Sequence, residues 1–224
     1  MSSKARGAST PAPDTRTRIL ETAWRLVRDH GVATLTMADI ADIAGISRQA
    51  VYLHFNSRTR LLIEMARYHD QAARITDRIT KALGSAGPAE ALGIYVRTWC
   101  DYLPEILPVA SVLSAAAMTD EAARAAWRDR MQFLRDRGGV RIVERLAAEG
   151  LLAEGWSVDE ATDWLWSQLH PDNWRHLVEE SKWYKRRYVD RLVSTLNTVL
   201  LRSDVRPRSA APVRRIRRHA KLAR

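Results

Sequence analysis

The sequence predicts an all-α protein, with a helix-turn-helix near its N-terminus and a larger helical part behind it. Three observations carry this. Apolar residues recur at helical spacing almost everywhere between Asp14 and Ser203, and no alternating run with β-branched residues and Gly-Asn turns supports a sheet. Capping residues stand ahead of most apolar stripes. Residues 36–55 place alanines and a glycine where two short helices must cross closely.

The first helix starts near Asp14 or Thr15, buries Ile19, Ala23, Trp24 and Val27 along one stripe, and stops at His30-Gly31. A second follows Thr36, with Asp39 three residues on as in a capping box, and runs to about Ala44. A third lies between Ser47 and Phe55. Ser57 caps a fourth, expected from Arg58 to Leu83. After the break at Gly84-Ser85-Ala86-Gly87-Pro88, a helix carries Leu92, Tyr95, Val96, Trp99 and Leu103 and is expected to stop at Pro104. The uncharged stretch Ile106 to Thr119 reads as a buried helix. A long helix from Asp120-Glu121 carries Trp127 and Met131, bends at Gly138-Gly139 and stops at Gly150. Ser157 to Glu160 is a capping box opening a helix that Pro171 breaks. The last helix, about Tyr184 to Arg202, is striped with Val189, Leu192, Val193, Leu196, Val199 and Leu200.

Within residues 36–55, Ala41 stands where the helices cross and Gly45 in the tight turn, where a positive φ is needed. Ile40, Ala44, Ile46 and Val51 are spaced to form the small core between them. Ser47 caps the helix expected to enter the major groove. Its outward residues are then Arg48, Gln49, Ala50, Tyr52 and His54. Arg48 can pair with guanine and Gln49 with adenine, while Ala50 can touch a thymine methyl. Thr36, Tyr52 and Arg58 suit phosphate contacts. The same spacing of small residues also occurs in ordinary helical hairpins.

Thr36-Met-Ala-Asp-Ile-Ala-Asp-Ile-Ala-Gly-Ile-Ser47, with Ala50-Val-Tyr-Leu-His-Phe-Asn-Ser-Arg58, resembles the TetR (tetracycline-repressor-like) family of regulators from about Thr15 to His69. The Tyr52-Leu-His-Phe55 block with Ser57 and Arg58 is the most specific part. Members commonly have Lys where Arg58 stands, and Gln49 is less typical. The resemblance implies nine or ten helices, operator DNA as partner, a homodimer and a small-molecule effector. It yields these expected boundaries: a disordered arm at 1–13, a DNA-binding domain at 14–68, an effector and dimerisation domain at 69–203, and a basic disordered tail at 204–224. The function expected is a homodimeric repressor released from its operator by a small, largely apolar effector. A DNA-architectural protein without ligand response, using the tail, is the alternative.

The 224 residues are 46% hydrophobic and carry a formal charge of +10. Eight Lys or Arg and no acid lie between Val205 and Arg224, so the rest is nearly neutral. Arrangement, and not net charge, is therefore the argument for DNA. The tail either adds salt-sensitive attraction to DNA or has no role. No uncharged apolar run reaches the roughly 18 residues of a membrane span, and the N-terminus lacks a secretory core, so a cytoplasmic location without membrane partner is expected. One cysteine, Cys100, excludes an intramolecular disulfide and Cys-cluster zinc; it is either a buried small residue or a redox group. No nucleophile elbow, phosphate loop or His-Glu-x-x-His stands in the chain, so neither catalysis, nor a metal, nor a cofactor is expected.

Trp99, Tyr102, Trp127, Met131 and Trp164 form either plain core or an aromatic ligand pocket. The last stripe, Val189, Leu192, Leu196 and Val199, with Leu165 and Leu169 of the preceding helix, is expected to meet a second subunit in a four-helix bundle; packing within the chain is the alternative.

Overall fold

The computed structural model describes residues 14–30, 36–84 and 86–206, without the side chains at positions 82, 83, 133, 134 and 137. Among them are α1 (Thr15–His30), α2 (Met37–Ala44), α3 (Arg48–His54), α4 (Arg58–Ala72), α5 (Ile75–Gly84), α6 (Pro88–Ala116), α7 (Glu121–Leu134), α8 (Val140–Ala148), α9 (Val158–Gln168), α10 (Pro171–Trp174) and α11 (Lys185–Leu200). A π-helical turn, Arg135–Gly139, joins α7 to α8, and another, Arg175–Glu180, follows α10. The all-α prediction holds: one isolated bridge, Leu152 to Leu201, is the extended pairing among the described residues. The arm at 1–13, the stop at Gly31 and nearly all of the basic tail lie outside those residues.

Helix starts follow the capping chemistry. Asp14 Oδ1 accepts from the Thr17 amide at 2.7 Å. Thr36 and Asp39 form a reciprocal capping box, as do Ser157 and Glu160. Ser57 accepts from the Arg60 amide and Asp120 from that of Ala123. Each such cap satisfies an amide that has no partner inside its helix, worth about 1 kcal/mol.

The apolar side chains gather in three clusters. Ile19, Leu20, Ala23 and Val27 of α1 meet Ile40 and Ala41 of α2, Val51 of α3, Phe55, and Leu61, Leu62 and Met65 of α4. The largest cluster is built on α6, α8, α9 and α11, around Leu92, Val96, Leu103, Val143, Leu146, Leu165, Leu196 and Leu200. A small third one holds Ile63, Leu113, Ala123 and Ala126 between α4, α6 and α7.

The expected fourth helix is two helices. Arg74 takes a left-handed φ of 50° and breaks the helical run. No glycine or proline marks the place. The break serves packing: Leu61, Leu62 and Met65 before it enter the first cluster, whereas Ile75 and Ile79 after it enter the largest. The expected stop at Pro104 is also corrected, since α6 runs on through Pro104 and Pro108 to Ala116. A proline inside a helix costs about 3 kcal/mol or more. Here Pro104 lies on the exposed side and Pro108 is half-buried, while Leu103, Ile106, Leu107, Val109 and Leu113 are buried. Each of those burials is worth about 1.5–3 kcal/mol, enough in sum to hold the helix through both prolines. These changes, with the short α10, raise the count above the nine or ten helices the resemblance implies.

The bend expected at Gly138-Gly139 is the first π-turn. It has a steric reason. The Tyr95 ring of α6 lies so close to Gly138 that a Cβ there would overlap it. Tyr95 is buried, so it cannot swing out to water. Gly138→Ala is expected to lower the unfolding free energy by about 1–3 kcal/mol, the usual cost of overpacking. Gly84→Ala, with open space at its Cβ, should stay within about 0.5 kcal/mol. Urea denaturation of both variants checks the difference.

Candidate nucleic-acid interface

The geometry of α2 and α3 is set by backbone chemistry. Gly45 closes α2 at φ 65°, ψ 40°, in the left-handed region. Its amide and that of Ile46 return to the carbonyls of Asp42 and Ala41, so the chain turns within three residues. Ser47 Oγ then accepts from the Ala50 amide at 3.1 Å and starts α3. Ala41 and Ala44 are buried at the crossing, Val51 is fully buried, and Ile46 packs at the edge.

With Val51 pointing inward, the remaining faces of α3 are open. Arg48, Gln49, Tyr52 and His54 are exposed, and Ala50 is half-buried. The Arg48 guanidinium lies 5.7 Å from the centre of the Tyr52 ring, which holds both in one layer. No carboxylate stands on this helix. Leu53 is 81% exposed and was not among the residues expected outward. Its position two residues after Val51, about 200° round a helix, is the signal that locates it. Thr36 is exposed one helix earlier, but its hydroxyl donates to Asp39 at 2.6 Å and accepts that residue's amide, so its place is in the cap. Arg58 is exposed at the first position of α4.

Behind this head lies a polar and aromatic junction with α6 and α7. Trp24 of α1 stacks on His69 of α4, ring centres 3.5 Å apart, and His69 lies parallel to Tyr102 of α6 at 6.0 Å. Asp70 accepts from the Tyr102 hydroxyl and from both terminal nitrogens of Arg130 of α7. Burial depresses the His69 pKa despite Glu105 nearby. Burial, with Asp70 alongside, pushes the Tyr102 phenol far above its ordinary range. At the other end of α4, Thr59 donates to Asp120 at 2.8 Å.

The five expected pocket residues do not share one cavity. Trp127 and Met131 line a small space with Trp24, Ile106, Leu113 and Arg130, of about 10 Å³, room for about one water. Trp99 is core, its indole N–H donating to the Leu169 carbonyl at 2.8 Å. Tyr102 is buried against Asp70. Trp164 is 41% exposed on the outside of α9. A larger crevice, of about 300 Å³, opens elsewhere, between α5, α6 and α8.

The expected subunit contact needs a similar correction. Leu165, Leu169, Val189, Leu192 and Leu196 are buried inside the chain, in the largest cluster, where α11 packs on α6 and α9 on α8. That stripe is already spent, and Val199 alone of the six is only partly covered. Cys100 is also buried, its thiol pushed up to about 12, which removes thiolate reactivity near neutral pH. Among the described residues, no three His, Cys, Asp or Glu side chains are placed to hold a metal, and no helix is long and apolar enough to cross a membrane.

Residues 19–65 match the model for bacterial regulatory proteins of the tetR family. Over 70 residues the chain is 41% identical to the HTH-type transcriptional regulator TtgR of Pseudomonas putida, covering 30% of this chain and 33% of that one. Over 61 residues it is 41% identical to the probable acrEF/envCD operon repressor of Escherichia coli K12, covering 27% and 28%. The chain thus spans about a third of the length of these relatives. A transcriptional regulator from Saccharomonospora viridis, solved in complex with choline, has the same fold at 21% identity and a TM-score of 0.71, over 84% of this chain and 97% of that one.

The contrast between turn and outer face is measurable. Gly45→Val forces a β-branched residue to φ 65° and should cost about 1–2 kcal/mol or more. Leu53→Ala, on an open face, should change stability by less than about 0.5 kcal/mol. Equal effects in a thermal or urea melt would show that Leu53 serves packing.

Proposed function

The chain belongs to the tetR family of bacterial regulatory proteins, and from that premise we propose that it is a homodimeric repressor that reads operator DNA with α3 and is released by a small molecule. The observation that carries this is the outer face of α3. It offers a guanidinium, a carboxamide, a phenol and an imidazole with no acid among them, held on a short helix whose inner side is locked by Val51. Arg48 and Gln49 are the base readers, and each good bidentate pair is worth about 1–3 kcal/mol of discrimination. Ala50 lies beside them as the contact for a thymine methyl. Tyr52, His54 and Arg58 lie towards the backbone, Arg58 at a helix start that itself attracts phosphate. Thr36 and Ser47 contribute by fixing the two helix starts.

Two reading heads are needed to span two half-sites, so a dimer follows from the mode of binding. Its contact is the outer side of α9 and α11, because their inner stripes are occupied. Trp164 is exposed there, and its ring lies 6.0 Å from that of Trp156, whose N–H donates to the Val199 carbonyl. Trp156 thus links the outer side of α9 to the last turn of α11. A dimer seated on a promoter excludes polymerase by occupancy, which is the reason for reading repression. The neighbour solved with choline supports effector binding on this fold. Residues 14–68 then form the reading head and 69–203 the body.

The direct test is competition binding to DNA flanking the protein's own coding region, at about physiological salt, where non-specific affinity is weak. A protected, two-fold symmetric site is expected. Arg48→Ala and Gln49→Ala should each weaken it by about 1–3 kcal/mol while leaving binding to random DNA unchanged. Binding without site preference would favour an architectural role for the basic tail. Trp164→Glu should give a monomer by sedimentation at micromolar concentration; an unchanged dimer would move the interface elsewhere.

A further inference from the structure

The crevice between α5, α6 and α8 has a composition that the expected apolar effector does not explain. Its buried floor is Pro88, Ala91 and Ile142, and its wall includes Thr80. Its rim carries Arg141 and Arg145, one helical turn apart on the same side of α8. No acidic residue lines it. Like charges four residues apart on a helix repel each other. Arg145 is engaged: it donates to the Ala86 carbonyl at 3.0 Å and lies 3.6 Å from Glu149. Arg141 makes no hydrogen bond or ion pair among the described residues. One guanidinium thus borders an apolar hollow of about 300 Å³ without a counter-charge. That volume is at the lower end of small-molecule sites, which are apolar with a few polar groups that fix orientation.

We propose that this crevice binds a small amphipathic carboxylate, its apolar body on Pro88, Ala91 and Ile142 and its carboxylate paired with Arg141. A monoanion matches the single unpaired charge, and a guanidinium takes a carboxylate through two parallel N–H donors. Thr80 is the second polar contact, from the opposite wall. In binding, the ligand supplies the counter-charge that Arg141 lacks. It also ties α5, the helix that follows α4, to α8. The proposal deepens the effector reading above and rests on it for what binding does to DNA; the binding itself stands without it.

The test uses the full chain and two probes of equal shape, 4-phenylbutanoate and its neutral amide, titrated calorimetrically at pH 7.5 in the absence of DNA. The carboxylate should bind at least about tenfold tighter than the amide, the amount a charge-assisted pair contributes. Arg141→Gln should remove that preference and leave amide binding and the melting temperature unchanged within about 2 °C, since the side chain is exposed and pairs with no other described residue. Equal binding of the two probes, no binding of either, or a preference that survives Arg141→Gln would each overturn the assignment. Operator binding is measured separately on the same samples. If DNA is bound and the carboxylate is not, the crevice proposal fails and the regulator reading stands. If the carboxylate binds selectively but leaves DNA affinity unchanged, the site stands and the effector reading fails.

Discussion

One helix, α4, belongs to two cores at once. Leu61, Leu62 and Met65 complete the cluster that supports α1 to α3, while Ile63, on the other side, packs with Leu113, Ala123 and Ala126 of α6 and α7. Its last turn carries Asp70, which holds the Tyr102 hydroxyl and the Arg130 guanidinium together. Because the Arg130–Asp70 pair is largely covered, at 14% and 21% exposure, removing either partner would leave the other charge covered and uncompensated, which is costly. Any shift of α6 or α7 therefore acts on α4 through packed atoms and a fixed pair of charges. The reading head cannot be reoriented without disturbing that junction, and that constraint makes control of the head from the body physically reasonable.

The head itself is small, and its parts depend on each other. A seven-residue helix such as α3 has no stability of its own in water. It is kept by Val51 and Phe55 in the core, by the Ser47 cap and by the turn at Gly45. Arg16 of α1 adds to this, lying 5.3 Å from the Phe55 ring while pairing with Glu64 of α4 at 2.9 Å. With the inner side so fixed, the outer side chains are presented on a rigid frame, which precise base contacts require. The short helix is a product of tertiary packing, and its chemistry is free to vary because packing uses only its other side.

What was legible in the sequence was local. Caps at Thr36, Ser47, Ser57 and Ser157, the left-handed turn at Gly45 and the inward Val51 each follow from a few neighbouring residues, and the structure has all of them. What was not legible depends on distant contacts. Arg74 breaks a helix without any breaker residue because the chain changes cores there. Prolines at 104 and 108 fail to stop α6 because five buried side chains outweigh them. The stripe on α11 has the same periodicity whether it faces a second subunit or its own α6, and periodicity alone cannot tell which. The aromatic residues divided for a like reason: size marks Trp99, Trp127 and Trp164 as important to packing, but not which cavity, core or surface each occupies. The arginine-rimmed crevice was invisible because its walls come from residues about sixty apart in the chain.

In the proposed function, α3 lies in the major groove with Arg48 on a guanine. Dimethyl sulfate protection reports it directly, since the reagent methylates guanine N7 on the major-groove edge. On a fragment bound at about physiological salt, protected guanines are expected in two half-sites about one helical turn, or a multiple of it, apart. Arg48→Ala should restore methylation at one symmetric pair of guanines while the other contacts persist. Guanines left equally reactive with and without protein, or a protection pattern unchanged in the Arg48→Ala variant, would contradict it.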